Sequence, residues 1–149
     1  MHRKVAAALL AVLALGAASC GSSETTVTRA QLVSRIESAC RVAQRTAQQQ
    51  IARASASARR SGATLVIALS NYQRYVLGRV EHVKVSNAAA QSDLAAIKDA
   101  GRERLAMVER ARKAGGDTQR ALLAMQSQSE AVTRRLQTAL RGLGITGCA

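Results

Sequence analysis

Three side chains spaced along one predicted helix are the chain's best candidates for binding chemistry. Tyr75, Arg79 and His82 occupy positions i, i+4 and i+7, which lie on one side of an α-helix. Together they could grip an anionic or aromatic ligand, or place His82 on a haem iron. A partly exposed polar edge beside the apolar stripe of the helix gives the same spacing, and we favour that plainer interpretation.

Cys20, the first of three cysteines, indicates a different chemistry. A basic start at residues 2–4 precedes 14 small and apolar residues, 5–18, which is fewer than the roughly 20 needed to span a bilayer. A Cys directly after small residues looks like a bacterial lipobox, in which Cys20 is acylated and becomes the mature N-terminus. We therefore predict a signal peptide over 1–19, a lipidated Cys and flexible tether over 20–27, and lipid anchoring at the extracytoplasmic face of the cell membrane. Plain secretion and an uncleaved membrane helix are the alternatives.

The two remaining cysteines, Cys40 and Cys148, are expected to form a disulfide. If Cys20 is acylated, they are the only thiols left in an exported chain, and export favours oxidation. The alternative is two unpaired thiols, with Cys40 packed as a small hydrophobic residue. We expect no metal site and no cofactor, because only one His remains after the signal is removed.

The strong positive charge of the chain limits the kinds of molecule that it is expected to bind. The formal net charge is +13, and removing the predicted signal leaves 20 basic against 9 acidic residues, a net +11. Such a surface attracts anions, which outside the cytoplasm are phospholipid head groups, cell-wall polymers or acidic proteins. Nucleic acid is not expected as a partner, because the chain is predicted to be exported, its basic residues are spread over every predicted helix, and it has no aromatic platform.

The sequence carries no catalytic constellation. It has no nucleophile elbow, no phosphate-cradling Gly-rich loop and no metal-ligand spacing. The few acidic residues mostly precede a basic residue by three or four positions, which is typical of solvated helix faces. We therefore expect a protein that is not an enzyme.

Nearly the whole of residues 28–149 is predicted to be helical. The chain has no Pro, and it is rich in Ala, Gln, Arg and Leu. Thr28 and Gln31 fit a capping box at the first helix start. The predicted boundaries are a helix from Thr28 to about Arg60, a second from Thr64 to Val85, a third after a break at Ser86–Asn87, and a fourth between a Gly115–Asp117 turn and a C-terminal cap at Gly142.

Two all-α architectures fit this pattern. An up-down four-helix bundle with one disulfide puts both termini at one end, where Cys148 can reach Cys40. The alternative is three helices with one long central helix over 63–114, because the apolar stripe of the second helix continues in phase through Asn87, Ala90 and Leu94. We favour the bundle. Gly101 either marks a close helix contact or is a tolerated glycine.

Both ends of the predicted mature chain resemble a known group of proteins. Thr28–Leu32, with Cys40 eight residues later, looks like the opening of small helical lipoproteins of high-GC bacteria, an uncharacterised family. The tail Leu143–Cys148 is similar to the C-terminal segment of these proteins, which begins with Leu-Gly and ends with a Cys. The resemblance implies a helical, disulfide-pinned surface protein and no particular activity.

The function expected from these features is binding or structural. We predict a membrane-anchored lipoprotein whose non-catalytic helical domain presents a basic surface to an anionic component or protein partner of the cell envelope. The alternative is an extracytoplasmic carrier of a small apolar ligand or haem, because small core residues could leave room for one inside the bundle.

Overall fold

A computed structural model describes residues 24–57, 62–113 and 118–148. The prediction of an all-α protein is confirmed for these residues, with two short strands added. The predicted signal peptide, Cys20 and the Gly115–Asp117 turn lie outside them. In chain order the elements are β1 (Thr25–Val27), α1 (Arg29–Arg53), α2 (Ala63–Val80), β2 (Val83–Val85), α3 (Ala88–Lys113) and α4 (Thr118–Leu143).

Helix α1 begins with the predicted capping box. The Thr28 hydroxyl accepts from the Gln31 backbone N–H at 3.2 Å, and the Gln31 side chain accepts from the Thr28 N–H at 2.9 Å. The helix ends at Arg53, short of the predicted Arg60. Its last buried residue is Ala43, so the second half has little core contact to extend it.

The alternative of one long central helix over 63–114 is wrong, because β2 separates α2 from α3. Val83 and Val85 are buried and Lys84 between them is exposed, which is the alternation of a strand. The two valines also continue the apolar stripe of α2, and for that reason the predicted helix was extended to Val85.

Strand β2 pairs in parallel with β1, with Thr25 opposite Val83 and Val27 opposite Val85. The Thr25 N–H also donates to the His82 carbonyl at 2.8 Å. Residues 25–27, which were predicted to lie in the tether, therefore pair with β2 as part of the folded domain.

Two polar side chains fix the junction between α2 and α3. The Lys98 ammonium donates to the carbonyls of Glu81 and Val83, at 2.8 and 2.9 Å, and so binds the end of α2 and the start of β2 to α3. The Asn87 side chain accepts from the Ala90 N–H at 2.9 Å and caps α3, which places a helix start at the predicted break.

The core is aliphatic, and each helix packs against the next in the chain. Gly101 on α3 lies against Leu77 on α2: a Cβ on Gly101 would stand 2.7 Å from Leu77 Cδ2. The close-contact interpretation of this glycine is therefore correct. The largest fully buried side chains are Leu32, Ile36, Val66, Val80, Leu94, Val132 and Ile145.

Helix α4 ends in a Schellman motif at Gly144, so the predicted cap at Gly142 is wrong. Gly144 has a φ of 86°, its N–H donates to the Arg141 carbonyl, and the Ile145 N–H donates to the Leu140 carbonyl. Ile145 is buried beneath this turn. Gly142 lies in the last helical turn, with no room for a Cβ beside Asp93.

The turn after α4 directs the tail back across α1. Cys148 and Cys40 form the predicted disulfide, with a Cα–Cα distance of 5.6 Å, and both residues are buried. The Arg29 side chain also donates to the Gly142 carbonyl at 2.8 Å. The end of the chain is therefore bound to the first half of α1 at two places.

Candidate functional site

The structure brings together two of the three residues singled out on α2. The Arg79 guanidinium carbon lies 5.1 Å from the centre of the Tyr75 ring, and Arg79 Nη2 donates to Tyr75 Oη at 3.1 Å. His82 is exposed on the turn after α2. Because the helix ends at Val80, the i+7 position no longer shares its face, and His82 does not belong to the pair.

Tyr75 and Arg79 line an open groove between α1 and α2, which we call the α1–α2 groove. Its volume is about 590 Å³. The α1 side contributes small and polar residues from the first half of that helix. The groove is lined by Ala30, Gln31, Ser34, Arg35, Ser38, Ala39, Tyr75 and Arg79.

The charge of this groove is entirely positive. Arg35 and Arg79 supply two guanidinium groups, and no carboxylate lines the groove. Within the described ranges neither arginine has an ion-pair partner, whereas Arg74 and Arg102 are each held by a carboxylate. Two uncompensated guanidinium groups beside hydroxyl and amide groups form a surface suited to an anion.

A second cavity of about 260 Å³ lies between α1 and α2 on the other side of Tyr75, which lines both cavities. We call the two cavities together the α1–α2 seam. The other lining residues of the second cavity are Ala43, Thr46, Ala47, Gln50, Asn71 and Tyr72. Asn71 Nδ2 donates to Gln50 Oε1 at 3.4 Å across the two helices. We call this part the amide half of the seam.

Every aromatic residue of the protein lies along this seam. The chain contains two tyrosines and no Phe or Trp, and both Tyr72 and Tyr75 are lining residues. Burial raises the pKa of the Tyr72 phenol, which the nearby positive charge of Arg104 partly opposes. Tyr72 is therefore a neutral hydroxyl group at physiological pH.

The α1 side of the groove was missed by the sequence analysis. Ser34, Arg35 and Ser38 read as an ordinary solvated face, and no local pattern indicates that this face borders α2. The i, i+4 spacing of Tyr75 and Arg79 was the available signal, and it located only the α2 side.

Among the described residues, a cavity beside the disulfide measures about 30 Å³ and is lined by residues that include Cys40, Gln73, Arg104 and Leu136. Pockets for drug-sized ligands are on the order of 300–1,000 Å³, so this cavity is too small for one. The alternative of a carrier of a small apolar ligand or haem stays a prediction.

Among the described residues, Glu109 is the carboxylate with the most hydrogen-bond and ion-pair partners. It accepts from the buried Ser70 hydroxyl and from Arg74 at 2.9 Å, and its Oε2 forms an ion pair with Arg112 Nε at 3.1 Å. The Ser70 hydrogen bond first, and then the charges of Arg112 and Arg74, hold the pKa of Glu109 below its ordinary value against the opposing effect of burial. Glu109 on α3 therefore holds Ser70 and Arg74 of α2, which joins the two helices.

The groove between α3 and α4 has balanced charge. It has a volume of about 600 Å³, and its charged lining residues are Asp93, Asp99, Arg134 and Arg135. Two carboxylates offset two guanidinium groups, so this surface favours neither sign of ligand.

Among residues 24–57, 62–113 and 118–148, no group of three His, Cys, Asp or Glu side chains could hold a metal ion. No helix in these ranges is both long and apolar enough to cross a bilayer. Comparisons with protein-family models, curated proteins and solved structures found no match.

Proposed function

We propose that this protein is a non-catalytic lipoprotein whose helical domain binds an anionic component of the cell envelope in the α1–α2 groove. The observation that carries the proposal is that Arg35 and Arg79 both line a groove that no carboxylate lines. Ser34 and Ser38 add hydroxyl donors on the α1 side.

The chemistry of arginine supports this choice of ligand. A guanidinium group presents several N–H donors in one plane and matches carboxylate and phosphate oxygens in pairs. Both arginines are exposed, so their attraction for an anion is screened by salt. The positive charge of the whole domain adds a long-range attraction that raises the rate of encounter.

The predicted anchor supports the location. Cys20 precedes Glu24 by four residues, which span at most about 14 Å when fully extended. Acylation of Cys20 would therefore hold the folded domain close to the membrane. The anions within reach there are head groups, wall polymers and acidic proteins.

We also propose that the four helices run alternately up and down. The packing of each helix against its neighbour in sequence supports this order. So does the short connection between α2 and α3, which suits neighbours of opposite direction.

Binding to anionic probes tests the function. The protein, purified from the producing cell in a nonionic detergent, is titrated with inorganic polyphosphate, polygalacturonate and phosphatidylglycerol vesicles at low salt, with phosphatidylcholine vesicles as the neutral reference. We expect at least one anionic probe to bind. The double variant R35Q/R79Q should weaken that binding about tenfold or more, since hydrogen bonds to charged groups contribute about 1.5–3 kcal/mol each before solvent screening.

The matched control is R110Q/R141Q, which removes the same charge from exposed arginines outside the groove. It should retain nearly all the affinity. Equal losses in the two double variants would mean that only the net charge matters, and the absence of binding to every anionic probe would contradict the proposal outright.

A further inference from the structure

The seam between α1 and α2 is long and carries polar groups in both of its cavities. The α1–α2 groove and the amide half share Tyr75, and α1 rises about 30 Å between Ala30 and Gln50 at 1.5 Å per residue. A ligand that used the whole seam would therefore be an extended chain rather than a small ion.

The lining of the seam argues against an apolar partner. Neither cavity is lined by Leu, Ile, Val, Met or Phe. An amphipathic helix or an acyl chain binds by placing apolar side chains or methylene groups against such residues. The apolar residues of the seam are alanines and the two tyrosines, which offer no large aliphatic side chain to such a partner.

The two halves of the seam differ in chemistry. One end carries the two guanidinium groups, and the other carries the hydroxyl of Thr46 with the amides of Gln50 and Asn71. The half-buried ring of Tyr75 lies between them. Hydroxyl and amide groups suit sugar rings, because the sugar hydroxyls can both donate hydrogen bonds to them and accept hydrogen bonds from them.

We infer that the ligand of the α1–α2 seam is an extended anionic polysaccharide, and this inference rests on the function proposed above. Its acidic groups bind Arg35 and Arg79, and its sugar rings follow the seam past Tyr75 into the amide half. A phosphate-rich lipid surface would engage the arginine end alone, because a flat bilayer cannot enter a groove between two helices.

Oligogalacturonides of increasing length are the first probe, because they carry a carboxylate on each ring. The purified protein is titrated with the dimer, tetramer, hexamer and octamer, and with the methyl esters of the same chains. We expect affinity to rise with length until the chain fills the seam. The neutral esters should bind at least tenfold more weakly than the acids.

Amino-acid substitutions separate the contributions of the two halves of the seam to the affinity for oligosaccharides. N71A/Q50A removes the amide pair and should weaken the longer oligomers several-fold while leaving the dimer unchanged. The control Q48A/Q49A removes two exposed amides from the same helix that do not line the seam, and it should bind like the wild type. Y75A should also weaken the longer chains, and circular dichroism confirms its folding.

Three results would overturn the inference. The first is an affinity that does not change with oligomer length. The second is an N71A/Q50A variant indistinguishable from Q48A/Q49A. The third is binding of polyphosphate or phosphatidylglycerol vesicles that depends on Arg35 and Arg79 and that no oligogalacturonide displaces. This third result would leave the anion-binding function standing, whereas the absence of binding to any anionic probe would remove both proposals.

Discussion

Reducing the Cys40–Cys148 disulfide should remove a large part of the protein's stability. The bond joins residues 108 positions apart, so it closes most of the predicted mature chain into one loop. In the chain-entropy model a loop of this length stabilises the folded state by about 4.8 kcal/mol at 25 °C, which corresponds to a change of more than a thousandfold in the unfolding equilibrium. The core is built largely of small aliphatic side chains, so little remains to compensate for that loss.

The assay is urea unfolding of three samples: oxidised wild type, reduced wild type and the oxidised C40A/C148A variant. Reduced wild type keeps both sulfur atoms, so its difference from the oxidised protein isolates the cross-link. With a slope of about 1.5 kcal/mol per M, the midpoint should fall by about 3 M urea. The oxidised protein should also show the smaller slope, because its unfolded chain stays more compact.

C40A/C148A measures the packing of the sulfur atoms in addition to the cross-link. Both cysteines are buried, so this variant should be slightly less stable than the reduced wild type. A difference below about 1 kcal/mol between the oxidised and reduced wild type would refute the reasoning, since the measured effect of disulfides that close long loops is typically 2–4 kcal/mol.

Four further predictions concern residues on the helices, and each is measured by chemical unfolding. G78A should raise the free energy of unfolding by about 1 kcal/mol through helix propensity, because nothing lies within 4 Å of its new Cβ. G101A should be less stable than G78A by about 1–3 kcal/mol, because its Cβ meets Leu77; equal effects would contradict the close contact. K98M should cost about 2 kcal/mol by leaving two carbonyls without their charged donor, and an unchanged midpoint would refute that role. Hydrogen bonding from a serine hydroxyl lowers the pKa of Glu109 from 4.5, so its contribution to stability is present above pH 4.5 and is lost as the pH falls through the lowered value. E109Q should therefore flatten the decline in stability below pH 4.5, and an acid dependence identical to that of the wild type would contradict this.

Local signals predicted the starts of the helices well. The Thr28–Gln31 capping box depends on side chains three residues apart, and the Asn87 cap lies at the predicted break. The pairing of Cys40 with Cys148 followed from counting thiols in a chain predicted to be exported. These inferences needed no knowledge of which helix packs against which.

The errors arose where a local pattern fits two structures. Val83 and Val85 satisfy both a helical stripe and a strand, and β1 supplies the backbone partner that decides between them from 58 positions away. At the end of α4, Gly142 and Gly144 are both plausible caps. Burial of Ile145 selects Gly144, because the Schellman turn at that residue directs Ile145 into the core.

The candidate site was predictable from one side only. Tyr75 and Arg79 are neighbours on one helix, and their interaction follows from i, i+4 spacing. Arg35 reaches the same groove from α1, and the sequence carries no signal for that packing. His82 was grouped with them on the assumption that α2 continues past Val80.

Fatty-acid labelling tests most directly whether this protein works at the cell envelope, which determines the anions it meets. Cells that express the wild type, C20A or C40A/C148A are grown with a labelled fatty acid, and the protein is then isolated. We predict that the wild type and C40A/C148A incorporate label and that C20A does not. A wild type that is exported and cleaved but carries no label would contradict the anchor, and it would make the protein freely secreted.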